Sequence, residues 1–138
     1  QIDALLNKRS GLLGLSQLSN DMRTLELAAD EGNSQAELAI RVFCYQLAKQ
    51  LAGLMTALPR CDALVFTGGI GENSSRVRQQ TVEHLGGLGW KLNHEFNTTH
   101  GDGSNGLINE GNSPLVGIVA TNEELMIAED VIALTANN

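Results

Sequence analysis

Residues 62–73 read DALVFTGGIGEN, and the interpretation of the whole sequence starts from this stretch. The apolar residues 63–66 predict a buried strand. Three glycines within residues 68–71 predict a turn, and the polar residues 74–75 that follow predict the start of a helix. Glycines let the backbone approach a ligand closely, and free N–H groups at a helix start favour an anion. The stretch therefore predicts a phosphate-bearing ligand, such as a nucleotide, at the turn.

The glycines alone do not complete a known phosphate motif. Gly69 and Gly71 match the first two glycines of the dinucleotide motif G-x-G-x-x-G, but Ser74 occupies the third position. The segment also lacks the Lys–Ser/Thr pair of a P-loop. At this point a tight glycine-rich connection without a ligand remains an alternative. So does a dinucleotide-binding enzyme domain, which would need an acidic residue where Asn93 stands.

Composition limits the class of protein. The 138 residues are 42% hydrophobic, which is enough for one domain with a core. A formal charge of −7 argues against non-specific binding to nucleic acid or to an anionic membrane. No apolar run approaches the roughly 20 residues of a membrane span, and no signal peptide is visible, so we expect a cytoplasmic location. Cys44 and Cys61 have no metal-ligand spacing and are expected to be reduced thiols.

Hydrophobic spacing and breaker residues predict the other elements. Helices are predicted at 2–8, 24–31, 34–58, 75–85 and from 121 onward, strands at 63–66, 89–93, 106–109 and 115–120, and loops at 10–16 and 94–105. The order of these elements predicts one α/β domain over residues 1–138, with a mixed sheet flanked by helices.

Two helix starts carry the pattern of a capping box. Ser34 and Glu37 open the longest predicted helix, whose apolar stripe is expected to be Phe43, Leu47, Leu51, Leu54 and Leu58. Thr121 and Glu124 open the final helix, which is expected to bury Leu125, Ala128, Val131, Ile132 and Leu134.

Further side chains could bind a ligand. Glu123 is not used by the second capping box, so its carboxylate could hold Mg²⁺ through water at the strand ends. Asp21 could accept from ribose hydroxyls, and Arg23 could contact a phosphate or stack on a base. The simpler interpretation of this pair is a helix-start Asp and a solvated Arg. His84, His94 and His100 share no ligand spacing and are assigned no chemistry, and Trp90 is expected to pack.

Four segments together resemble the acetate/propionate kinase family of the sugar kinase–Hsp70–actin (ribonuclease H-like) fold superfamily. In chain order they are LNKRSGLLGLS (6–16), SNDMR (19–23), VFTGGIGENSSRVR (65–78) and TNEELMIAED (121–130). The resemblance implies an enzyme that transfers the γ-phosphoryl group of ATP reversibly to acetate or propionate, giving an acyl phosphate and ADP. It also implies Mg²⁺ as cofactor and a homodimer formed through this domain.

The resemblance also implies roles for individual residues. Asp21, Met22 and Arg23 would contact the adenosine of ATP. Gly68, Gly69, Ile70, Gly71, Glu72 and Asn73 would hold adenine, ribose and α-phosphate. Glu123 would be the carboxylate linked to Mg²⁺.

The family's acyl-phosphate half and its catalytic Arg, Asp and His residues have no counterpart in this sequence. The chain therefore resembles the C-terminal third of such an enzyme, part of its nucleotide-binding domain, without catalytic residues and inactive by itself. A non-catalytic structural or regulatory module is the remaining alternative. Asp21, Arg23, Gly71 and Glu123 argue against it, because a purely structural role does not need that combination.

Overall fold

A computed structural model describes residues 2–135, except the side chains at positions 4, 7, 8 and 123. The elements are α1 (Ile2–Lys8), α2 (Gly11–Ser16), α3 (Met22–Asp30), α4 (Ser34–Met55), β1 (Ala63–Phe66), α5 (Gly68–Asn73), α6 (Ser75–His84), α7 (His94–Thr98), β2 (Leu115–Ile118) and α8 (Glu123–Thr135), with a 3₁₀ turn at Gly86–Leu88. This order agrees with the predicted α/β class.

Among residues 2–135 the sheet consists of β1 and β2, which pair in parallel from Ala63 opposite Leu115 to Phe66 opposite Ile118, in place of the predicted mixed sheet. Residues 63–66 were predicted to form a buried strand, but only the alternate residues Leu64 and Phe66 are buried. This is the period-2 pattern of a strand with one face on a core.

The predicted strands at 89–93 and 106–109 do not form. Two isolated antiparallel bridges take their place, Leu92 to Asn109 and Leu107 to Gly117. Gly106 has φ +78°, and a Cβ there would lie 2.6 Å from the Ile118 carbonyl oxygen. Only glycine therefore allows this segment to cross so close to β2.

Two hydrophobic clusters form the core. One lies between the sheet, α4 and α6 and includes Trp90, as predicted, together with Ile108 and Val116. The other lies between α3, α4 and α6 and is centred on Leu25 and Ile40. Both clusters use the same helix, α4, which is 22 residues long and thus about 33 Å in length.

The buried face of α4 differs from the predicted stripe. The buried residues are mostly small: Ala36, Ala39, Ile40, Cys44 and Ala48. Leu54 and Leu58 are exposed instead. Small side chains let α3 and α6 approach α4 closely. The face that turns inward is therefore the one that allows this close packing, and not the one with the largest apolar side chains.

The capping box predicted at Ser34 and Glu37 is also wrong. Asn33 is the cap, and its side-chain oxygen accepts from the amides of Gln35 and Ala36 at 3.0 Å. Glu37 pairs with Arg76 of α6 instead, at 3.1 Å. A long-range ion pair has replaced the expected local contact.

The two predicted loops contain helices. Residues 11–16 form α2 despite two glycines, because Leu12 packs against the cluster on α3 and α4 and tertiary contacts outweigh helix propensity. The segment 94–105, predicted to be a flexible surface loop, contains α7, and its Asn97 is buried and hydrogen-bonded to α6.

The helix α8 forms where predicted but does not bury the predicted face. Leu125, Val131, Ile132 and Leu134 are each more than half exposed. Its cap is also different, because Asn122 accepts from the Leu125 amide at 3.0 Å, whereas the Thr121 hydroxyl donates to Glu72.

Candidate functional site

A cleft of about 610 Å³ opens between the start of α3 and the glycine-rich helix α5. It is the place where two segments singled out in the sequence, 21–23 and 68–73, come together. Nine of the described residues line it: Asp21, Met22, Arg23, Glu26, Gly69, Ile70, Asn73, Ser74 and His100.

Asp21 forms the α3 wall of the cleft and caps that helix. Its Oδ2 accepts from the Thr24 hydroxyl at 2.7 Å and from the Thr24 amide at 3.0 Å. These two hydrogen bonds, the hydroxyl first, lower the pKa of the Asp21 carboxyl. The cleft therefore contains a charged carboxylate at neutral pH, held in place by the turn it caps.

The two residues after Asp21 play different structural parts. Met22 is buried and belongs to the cluster around Leu25, so it anchors the start of α3. Arg23 is exposed and reaches the cleft, where it can offer up to five N–H donors to a ligand. Residue spacing alone favoured a solvated Arg at this position, whereas the structure places Arg23 at the cleft wall.

The second wall belongs to α5, which takes the place of the predicted turn. Gly69, Ile70 and Asn73 line the cleft, and Asn73 Nδ2 donates to the Gly69 carbonyl at 3.0 Å. A Cβ at Gly69 would meet no atom within 4 Å, so the backbone there is open to a ligand.

Gly68, Gly71 and Glu72 do not line the cleft, although the sequence grouped them with the ligand-binding residues. Gly68 has φ +72°, which favours glycine. At Gly71 a Cβ would lie 3.2 Å from the carbonyl carbon of Phe66, so glycine lets α5 pack on the end of β1. These two glycines determine the position of α5 without lining the cleft themselves.

Glu72 connects α5 to the junction between β2 and α8. One oxygen, Oε1, accepts from the Gly68 amide at 2.8 Å and from the Thr121 amide and hydroxyl at 2.9 Å each. The Thr121 hydrogen bonds, and then that of Gly68, lower the pKa of the Glu72 carboxyl. The residue that precedes Asn122 and Glu123 is thereby tied to the glycine-rich helix.

Behind α5, Arg78 is completely buried. Its Nη1 donates to the Gly71 and Glu72 carbonyls at 2.8 and 2.9 Å, and its Nε and Nη2 donate to Asn97 at 2.8 and 2.7 Å. Burial lowers its pKa, and the Glu26 carboxylate opposes that change. The guanidinium thus stabilises the carboxyl end of α5 with a positive charge and joins it to α7.

Sequence reasoning missed three residues of the cleft. Glu26 lies one helical turn beyond Arg23, a spacing that could have indicated the same face of α3. Ser74 donates to the Glu26 carboxylate and also caps α6 by accepting from the Val77 amide at 3.0 Å. One amide at the start of α6, where an anion was expected, is therefore already bound. His100 was assigned no chemistry, and no local pattern places it here.

The metal prediction concerns Glu123, whose side chain lies outside the described residues. Among the side chains that are described, no group of three or more His, Cys, Asp or Glu could hold a metal ion. Both cysteines are free, and burial raises the pKa of Cys44 to about 11, so the Cys44 thiol stays protonated at neutral pH. Within residues 2–135, no helix has the length and apolar character to cross a membrane.

The fold and the cleft define an α/β domain in which a glycine-rich helix faces a charged helix start. The chain belongs to the acetokinase family, whose model matches residues 1–129. It is 57% identical over 134 residues to an acetate kinase from Ectopseudomonas mendocina (strain ymp) and 51% identical over 135 residues to one from Dichelobacter nodosus (strain VCS1703A). These matches cover 97% and 98% of this chain but 34% of each relative, so the chain spans about a third of their length.

Solved structures agree with the family. A propionate kinase from Francisella tularensis superposes with a TM-score of 0.85 at 44% identity, covering 94% of this chain and 32% of that one. An acetate kinase from Porphyromonas gingivalis gives 0.81 at 35% identity, covering 97% and 34%. The family resemblance inferred from four sequence segments is confirmed.

Proposed function

We propose that this chain supplies the nucleotide-binding side of an ATP-dependent carboxylate kinase. The reaction is the reversible transfer of the ATP γ-phosphoryl group to a short-chain carboxylate, acetate or propionate, to give an acyl phosphate and ADP. The observation that carries this proposal is the single cleft shared by Asp21, Arg23, Gly69 and Asn73. Family membership supports the chemistry, and the cleft supports the site.

Four residues of the cleft each suit one part of a nucleotide. The Asp21 carboxylate accepts hydrogen bonds, as ribose hydroxyls require, and the Arg23 guanidinium complements phosphate or stacks on a base. The open backbone at Gly69 and the side chain of Ile70 offer a surface for the nucleoside. Gly68, Gly71 and Glu72 act through the position of α5 instead of by touching the ligand.

The proposed Mg²⁺ ligand is Glu123, at the start of α8. A magnesium ion commonly uses only one or two protein carboxylates together with water and substrate phosphates, so a dense cluster of acids is not required. The contact between Glu72 and Thr121 holds the start of α8 near α5. When bound, the ion would neutralise phosphate charge.

The whole reaction needs residues beyond this chain. Phosphoryl transfer depends on in-line positioning and on charge neutralisation around the transferring group. We therefore propose that the chain corresponds to the C-terminal third of the kinase, that it does not turn over alone, and that the complete protein is a cytoplasmic homodimer. Acetate-dependent formation of ADP by the purified chain would contradict the second statement.

Calorimetric titration of Mg-ADP into this chain tests the nucleotide site. Arg23→Ala should weaken binding by removing a charged contact, and Gly69→Val should weaken it by filling the cleft. A Cβ at Gly69 has open space, so the substitution introduces no clash at that atom. Arg60→Ala and Gly87→Val are matched controls, since neither residue lines the cleft and a Cβ at Gly87 also meets nothing.

Binding that only the two cleft variants weaken supports the proposal. Equal binding by cleft and control variants, or no binding by the folded wild-type chain, would contradict it. Circular dichroism of every variant separates lost binding from lost structure.

A further inference from the structure

His100 forms part of the cleft wall, although it lies far in sequence from both segments that were expected to bind a ligand. Its backbone has φ 55°, a left-handed conformation that few non-glycine residues adopt. Its Nδ1 lies 2.9 Å from the Glu72 carbonyl oxygen and 3.2 Å from Arg78 Nη2. The ring is therefore held against the carboxyl end of α5.

The shorter of these two contacts, to the Glu72 carbonyl oxygen, favours a proton on Nδ1. An unprotonated Nδ1 would place its lone pair against the Glu72 carbonyl oxygen at 2.9 Å, which is repulsive. A proton on Nδ1 turns this contact, the shorter of the two, into a hydrogen bond, whereas Arg78 Nη2 at 3.2 Å is itself a donor and makes no hydrogen bond to that tautomer. We assign the neutral ring as Nδ1–H on this hydrogen-bond geometry, which leaves Nε2 as an acceptor.

No hydrogen bond to Nε2 is found among the described residues. His100 shares the cleft with Asp21, which offers a second acceptor, and with Ile70, which offers apolar surface. Acceptors placed around an apolar surface suit a nucleoside, whose ribose hydroxyls and exocyclic amino group are donors. A phosphate oxygen, which has no hydrogen to donate, does not suit them.

We propose that His100 is a nucleoside-binding residue of this cleft, in which Nε2 accepts a hydrogen bond from a ribose hydroxyl or from the amino group of adenine. Glu72 positions the ring by accepting from Nδ1–H through its carbonyl oxygen, and Arg78 Nη1 donates to that same oxygen at 2.9 Å and so holds it in place. This inference rests on the proposed nucleotide site and adds a specificity-determining residue to it.

The test compares His100→Phe, which keeps a ring but no acceptor, with His100→Gln, which restores an acceptor at similar reach. We expect His100→Phe to weaken Mg-ADP binding about three- to tenfold, as the loss of one neutral hydrogen bond predicts. His100→Gln should recover part of the loss. His94→Phe is the matched control, because His94 is exposed and lies outside the cleft.

Two analogues identify the donor. 2′-Deoxy-ADP lacks one ribose hydroxyl, and inosine diphosphate lacks the exocyclic amino group. The analogue that lacks the group donating to Nε2 should bind the wild-type chain more weakly than ADP does. For that analogue, His100→Phe should bind with the same affinity as wild type. The other analogue should respond to His100→Phe as ADP does.

Each result decides the proposal. Wild-type affinity in His100→Phe, or an equal loss for ADP, these two analogues and 3′-deoxy-ADP, which lacks the other ribose hydroxyl, would overturn the role of His100. If Arg23→Ala and Gly69→Val weaken binding in the same series, the nucleotide site itself stands. If the folded wild-type chain binds no nucleotide, both proposals fail together.

Discussion

The carboxylate of Glu72 makes its hydrogen bonds inside the protein. The sequence placed it among the nucleotide contacts, whereas its carboxylate bonds to Gly68 and Thr121 within the protein. Its pKa is lowered in the folded state, so its stabilising effect is complete above the ordinary carboxyl value of 4.5 and is lost as the pH falls through the lower folded value.

This predicts the pH dependence of a single variant. Glu72→Gln should be less stable than wild type at neutral pH, and the difference in the free energy of unfolding should shrink as the pH falls below about 4.5. Urea unfolding between about pH 3 and pH 7 measures it. Glu110→Gln is the control, because Glu110 is exposed and has no side-chain hydrogen bond among the described residues. A difference that stays constant with pH would contradict the role given to Glu72.

At the scale of helices, the start of α4 is capped by Asn33 and not by the Ser34–Glu37 pair that the sequence pattern predicted. Asn33→Ala should cost about 1 kcal/mol, because its side chain binds two amides at the helix start. Ser34→Ala should change stability by less than about 0.5 kcal/mol, since the Ser34 hydroxyl has no partner among residues 2–135. Chemical denaturation of both variants tests the ranking, and the reverse ranking would restore the capping box.

The same comparison shows what sequence could predict. Strands β1 and β2 and helices α1, α3, α6 and α8 follow from local hydrophobic patterns, and so does the packing of Trp90. Several polar groups compete to bind Asn33, Glu37 and Asn97. Long-range contacts determine which of those groups form the bonds. His100 is held at the cleft by the Glu72 carbonyl oxygen, a contact across 28 residues that no periodicity encodes.

At the scale of the whole molecule, stability is concentrated in the two clusters around α4. Ile108 is completely buried there, so Ile108→Ala should cost about 2–5 kcal/mol through lost contacts and a new cavity. Ile132 of α8 is 65% exposed, so Ile132→Lys should change the free energy of unfolding by less than about 0.5 kcal/mol despite its added charge. Denaturant unfolding of the two variants measures both effects. If Ile132→Lys cost as much as Ile108→Ala, α8 would have to pack against the body of the domain, and the face predicted from its sequence would be buried after all.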